Sequence, residues 1–225
     1  MSIQQIAPQV VPLSAAVPAR DRSVPVDEPF ASLLPDAGLQ RGRVVGCEGS
    51  AAMSAAIALV ARAVREGSWL LVVGVPSIGL EAMDELGVPL RRVVAVEGEP
   101  APAAWAEWVA AAADGFELIL TSPPRGADRF ERKIRQRLQA RGVVLVSVSV
   151  AGGHQIGPDL RFSTSVPRWG GIGEGCGRLV TREVDLGVDG RRVPRPASTT
   201  VLLPGPGGRL QSSVPSPEVV LERVG

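Results

Sequence analysis

Between Arg43 and Val150 the chain alternates between two kinds of apolar pattern. Arg43 to Cys47, Trp69 to Val75, Arg92 to Val96, Phe116 to Thr121 and Val143 to Val150 are short, nearly uncut apolar runs. Such runs suit strands buried on both faces. Between them, Ala52 to Arg65, Ile78 to Leu86, Ala101 to Ala113 and Ala127 to Ala140 repeat their apolar residues at helical spacing, and Gly67, Gly87 and Gly142 follow three of them as stop signals. Strand and helix alternating in this way predict an α/β fold, a mostly parallel sheet flanked by helices with right-handed crossovers.

The flanks read differently. After residue 158 the helical period disappears. Leu160 to Ser163, Arg178 to Glu183 and Ser198 to Leu203 read as antiparallel strands extending one edge, with turns at Gly187-Val188-Asp189-Gly190 and Gly205-Pro206-Gly207-Gly208. Residues 1 to 26 lack either period and predict a flexible N-terminal arm. Residues 27 to 42 hold an apolar Phe30-Leu33-Leu34 set between turn signals, a short element capping the core. The expected organisation is arm 1–26, core 27–210 and tail 211–225.

Composition narrows the function classes. Hydrophobic residues make up 45% and charged residues 21% of the 225, enough apolar material for a core. The net charge is +1, so no bulk field announces a nucleic-acid partner. Mean hydropathy is +0.17, yet stretches such as Gly67 to Leu80 are too short and too broken to cross a bilayer. No secretory leader pattern opens the chain, and the expectation is a cytoplasmic protein with no membrane contact. Cys47 and Cys176 match no metal spacing. His154 is the only histidine, and no nucleophile or paired acid stands near it in sequence. No metal, cofactor or catalytic group is expected.

One stretch has the shape of a phosphate-binding loop. GRVVGCEGSAAMSAA runs strand, glycine turn, small-residue helix. The phosphate loop G-x-x-x-x-G-K-[ST] uses backbone N–H groups to cradle phosphate, a lysine to neutralise it and a hydroxyl to hold Mg²⁺. Laid from Gly46, with Gly49 inside the loop, this chain puts Ala51 at the second glycine, Ala52 at the lysine and Met53 at the hydroxyl. The only lysine in the chain is Lys133. Thr121 ends the strand where an acidic metal-holding residue belongs. The shape is kept and the chemistry is lost, so the chain is not expected to be an enzyme.

The order of parts resembles a RecA-type core. LLPDAGLQRGRVVGCEGSAA is similar to the approach into that family's first strand and phosphate loop, with Gly38, Leu39, Gln40, Arg41, Gly42 and Arg43 forming the turn. ELGVPLRRVVAVE and RGVVLVSVSV resemble later RecA segments, and RWGGIGEGCGRLVTREV with VDGRRVPRP resembles the ImuA group of RecA-related proteins. Members of that group occur beside the Y-family-like protein ImuB and an error-prone DnaE-type polymerase in a damage-induced mutagenesis cassette. The resemblance implies a RecA-like fold, a role in translesion synthesis during DNA repair, and an ImuB-like protein with its polymerase as partners, RecA being a further candidate.

Two features stand as candidate contact sites. Trp169-Gly170-Gly171 reads as part of a glycine-rich loop that runs to Gly177, and a tryptophan beside pliable backbone suits a partner anchor. The helix ADRFERKIRQRLQARG carries Arg129, Arg132, Lys133, Arg135 and Arg137 around a Phe130-Ile134-Leu138 stripe, and reads either as a solvated face or as a phosphate-backbone patch. Trp105 and Trp108, three apart, read as packing residues. The leading expectation is a non-catalytic RecA-like adaptor. A DNA-binding module using the arginine helix, a residual nucleotide-binding enzyme and a SulA-like inhibitor of cell division are the other readings.

Overall fold

The computed structural model describes residues 22–76, 78–149, 156–172, 177–191, 193 and 195–213. In chain order the elements are β1 (Ser23–Pro25), α1 (Glu28–Ala31), β2 (Gly38–Gln40), β3 (Val44–Gly49), α2 (Ala52–Arg65), β4 (Leu70–Val73), α3 (Leu80–Glu85), β5 (Val93–Val96), α4 (Pro102–Ala112) and β6 (Leu118–Thr121). There follow α5 (Glu131–Arg141), β7 (Val144–Val148), β8 (Leu160–Ile172), β9 (Gly177–Gly190), β10 (Ala197–Leu202) and β11 (Gln211–Ser212). Nine strands form one sheet in the order β11-β10-β9-β8-β3-β7-β6-β4-β5. From β8 to β5 every neighbouring pair is parallel, and from β8 to β11 every pair is antiparallel. The fold is thus the expected α/β architecture, compatible with a RecA-like core.

Alternation along each central strand divides the core in two. Val45, Leu70, Val72, Leu118, Leu120, Val144 and Val146 point to the face covered by α2. Val44, Leu71, Val73, Ile119 and Leu145 point to the face that carries Trp105 and Val109 of α4 and Ile134 and Leu138 of α5. Helix α2 is buried over most of its circumference because its alanines, Ala52, Ala55, Ala56, Ala58, Ala61 and Ala63, let it lie close to the sheet. Its last turn carries Arg62 and Arg65, favourable at the negative end of the helix dipole. Arg62 pairs with Glu66, and Arg65 with Asp27.

Several expectations change in detail. The N-terminal arm was expected to extend to residue 26, but Ser23–Pro25 form β1, pairing with β2 and burying Val24 and Val26. Gly187 to Gly190 make no turn. They continue β9 opposite Leu160 to Ser163. A Cβ at Gly187 would lie 2.7 Å from Ser163 Oγ and one at Gly190 2.5 Å from Asp159 O, so these glycines permit close strand approach. Trp169, Gly170 and Gly171 likewise belong to the far end of β8, not to a loop. Gly170 faces Thr181 with room for no Cβ, the hydroxyl being 2.5 Å from where one would sit. Trp105 is fully buried as expected, but Trp108 is 38% exposed. The buried stripe of α4 is Trp105, Ala106, Val109 and Ala112, and Trp108 stands about 90° round the helix from its middle. His154 and Cys176 lie outside the described residues.

Candidate functional site

The turn after β3 is where a phosphate loop would hold its ligand, and its donors face a neighbouring strand. β8 runs parallel to β3 in a register that sets Glu48 against Ser163 and Gly49 against Thr164. The Ser50 N–H donates to Thr164 O at 3.2 Å and the Ala51 N–H to Thr164 Oγ1 at 3.0 Å. The Thr164 hydroxyl itself donates to Glu48 O at 2.9 Å. One buried threonine therefore satisfies two loop amides and a loop carbonyl. Gly49 closes the turn at φ +99°, and a Cβ there would fall 1.9 Å from Thr164 O. The glycine is required by this contact.

The side chains agree with that closure. Ala51 and Ala52 are buried, and Met53 packs against the α2-side core. The Glu48 carboxylate lies 3.6 Å from Arg161 on β8, a paired acid at the mouth of the turn. Cys47 ends fully buried in the core, and burial, with Glu48 adding a smaller push, raises its thiol pKa from 9.0 to about 12. Thr121, at the position of the metal-holding acid, is fully buried and accepts a 2.8 Å hydrogen bond from Trp105 Nε1. That bond joins β6 to α4. Both places that nucleotide chemistry would use are thus built into the packing of this chain. Sequence reasoning located them but missed Thr164, whose role comes from strand register alone.

Part of the arginine helix is neutralised, by Glu131 in its own first turn and by Asp114 and Asp159 from neighbouring segments. Arg135 donates to Glu131 and to Asp159, both at 2.8 Å, and Asp159 in turn accepts the Val44 N–H. Arg137 and Arg141 both pair with Asp114. The Arg129 guanidinium lies over the Phe130 ring at 4.9 Å. Arg132 and Lys133 have no ion pair among the described residues. The expected helix from Ala127 begins as a 3-10 turn, Ala127–Phe130, which carries Arg129, while Arg132, Lys133, Arg135 and Arg137 lie on α5, with Arg135 and Arg137 tied to carboxylates.

Trp169 sits on a different kind of surface. Beyond Ser165 on β8 and Arg182 on β9, the two strands pair only with each other among the described residues, because β3 ends at Gly49 and β10 reaches no farther than Glu183. They form an arm that leaves the sheet at the same end as the closed turn, with Trp169 about 16 Å along β8 from Thr164 at strand rise. Trp169 is 48%, Leu179 49% and Val180 46% exposed. Arg182, opposite Trp169, holds its guanidinium 5.2 Å over the ring and donates to Leu203 O at 2.6 Å. Burial lowers its pKa. Val180, two residues along β9, shares the face of Trp169.

These features define a mostly parallel α/β protein with a strand–turn–helix of phosphate-loop shape whose Ser50 and Ala51 amides are engaged by its own sheet. The chain belongs to the MT3502 N-terminal domain family, whose model matches residues 32–152 and whose function is unclear. The matched stretch spans β2 to β7, including the closed turn and Thr121, and stops short of the arm. No curated protein matches the chain. Among the described residues no helix is long and apolar enough to cross a membrane, and no three His, Cys, Asp or Glu side chains gather as metal ligands.

Two outcomes follow from this geometry. Thr164→Val leaves the Ala51 N–H without its buried acceptor, and Thr121→Val does the same to Trp105 Nε1. Each is expected to cost about 1–3 kcal/mol in urea unfolding. The raised thiol pKa favours the folded state while Cys47 is protonated. This contribution is full below pH 9.0, the unfolded value, and is lost as pH rises toward about 12. Alkylation at mildly alkaline pH should therefore label Cys47 only at the rate at which the chain opens, measured by mass spectrometry with and without denaturant.

Proposed function

We propose that the protein is a non-catalytic RecA-like adaptor of the ImuA type, which holds other proteins together in error-prone translesion synthesis. The observation that carries this reading is the arm formed by β8 and β9. It leaves the sheet and presents Trp169, Leu179 and Val180 to solvent, with Arg182 stacked on the tryptophan. Exposed aromatic residues beside arginine are what binding surfaces use as energetic anchors. The closed turn supports the same reading from the other side, since its Ser50 and Ala51 amides are already bonded to Thr164.

In this proposal the partner is an ImuB-like protein, and through it the DnaE-type polymerase, with RecA as a further partner. The mechanism is assembly. Free energy comes from desolvating the Trp169–Val180 face, and the parallel sheet serves to hold the arm at its base. A nucleic-acid role for α5 draws less support, because Arg135, Arg137 and Arg141 already have acidic partners.

The test is a titration of the full chain with the C-terminal region of an ImuB-like protein, at low and high salt. Binding that changes little with salt, and that Trp169→Ala weakens about tenfold or more while the circular dichroism spectrum is unchanged, is the expected result. Binding of single-stranded DNA that disappears at high salt, with none to the protein partner, would replace the adaptor by a DNA-binding module.

A further inference from the structure

At the edge of the sheet opposite β11, β5 is open. Among the described residues it pairs with β4 on one side and with no strand on the other. An edge strand leaves a row of outward N–H and C=O groups, and proteins blunt such edges with charges, prolines or bulges. β5 has none of these within Val93–Val96, and its register against β4 is unbroken. Neither side of the strand is fully covered. Val94 stands beside Leu71 on the α4 side of the sheet and is 40% exposed, and Ala95 stands beside Val72 on the α2 side and is also exposed.

The residues around the strand say what fits it. The local sequence is RRVVAVEGE, cationic before the apolar run and anionic after it. A strand with opposite charges at its two ends is complementary to its own antiparallel copy. Two-fold pairing in a continuous sheet keeps each side chain on its own face, so the symmetry axis passes through a residue. The paired residues are those of Val93–Val96, and valine or alanine meets its like in the middle whether the axis falls on Val94 or on Ala95. Arg91 lies in the 3-10 turn Leu90–Arg92 that leads into the strand, and Glu97 and Glu99 lie just past its end, so an antiparallel copy brings the cationic end of each strand to the anionic end of the other. Arg91, Glu97 and Glu99 are exposed and have no ion pair among the described residues. Arg92 is held back, donating to Gly67 O at 2.7 Å and lying over Trp69.

We infer that β5 is a homodimer interface, at which a second copy of this chain adds its own β5 antiparallel to form one continuous sheet across a two-fold axis. The interface is isologous and closed, so it yields dimers and not filaments. It is independent of the arm, which remains free in each protomer.

Sedimentation velocity on the full chain over a wide concentration range tests this directly. A monomer–dimer equilibrium is expected. Val94→Lys changes an exposed position and is expected to weaken the dimer at least tenfold without altering the circular dichroism spectrum or the melting temperature. Charge exchange supplies a test that loss of folding cannot imitate. Arg91→Glu alone, and Glu97→Lys with Glu99→Lys alone, should each sediment as monomers, and an equimolar mixture of the two should recover the dimer. A wild-type chain that stays monomeric at every concentration, a dimer indifferent to Val94→Lys, or variants that fail to pair when mixed would overturn the inference.

Discussion

Thr164 is the constraint on which this structure turns. Its carbonyl and hydroxyl take the Ser50 and Ala51 amides and its hydroxyl returns a bond to Glu48 O, so the turn between β3 and α2 is fastened to β8. A phosphate loop needs those amides pointing into open space. Here they point at a strand, and Gly49 is shaped to let that strand come close. With the turn fastened, α2 is fixed at its start against the sheet, and β8 is fixed where it leaves the parallel region to begin the arm.

The second fastening is the bond from Trp105 Nε1 to Thr121. In a nucleotide hydrolase the end of this strand faces the metal. In this chain it faces a helix, and the polar side chain serves packing on the α4 side of the sheet. At the turn, Ala52 brings no charge and Thr164 occupies the space in front of the Ser50 and Ala51 amides. The energy available from burial then goes into a rigid platform that carries the arm at one end and an open strand at one edge.

Much of this was legible in the sequence, and the reasons differ by element. Helix α2 was predicted with the bounds it has, because its apolar residues keep helical spacing and Gly67 follows its last turn. The central strands were placed to within two residues at each end by their uncut apolar runs. The length of β8 and β9 was not legible. Gly170, Gly187 and Gly190 read locally as turn residues, yet each sits in a strand where a side chain would collide with the strand opposite. A glycine serving close approach and one serving a turn look alike until the pairing is known. β1 was hidden for a related reason, since three residues have no period and its partner lies beyond α1. The closed turn was half legible. Ala52 and Met53 mark the departure from the phosphate-loop motif, but nothing in Thr164 itself marks it as the group that bonds the turn. The ion pairs of the basic helix were not legible, because Asp114 and Asp159, which pair with its arginines, lie outside it in sequence.

The claim that the phosphate-loop shape is kept while its binding capacity is gone has a direct test. Titration calorimetry of the full chain with ATP and Mg²⁺ is predicted to give no saturable heat, in the wild type and equally in Thr164→Val, because Ala52 and Met53 still supply neither countercharge nor metal ligand. Saturable, Mg²⁺-dependent heat in the wild-type chain would mean that Thr164 yields its place to nucleotide, and the account of a turn closed by its own sheet would be wrong.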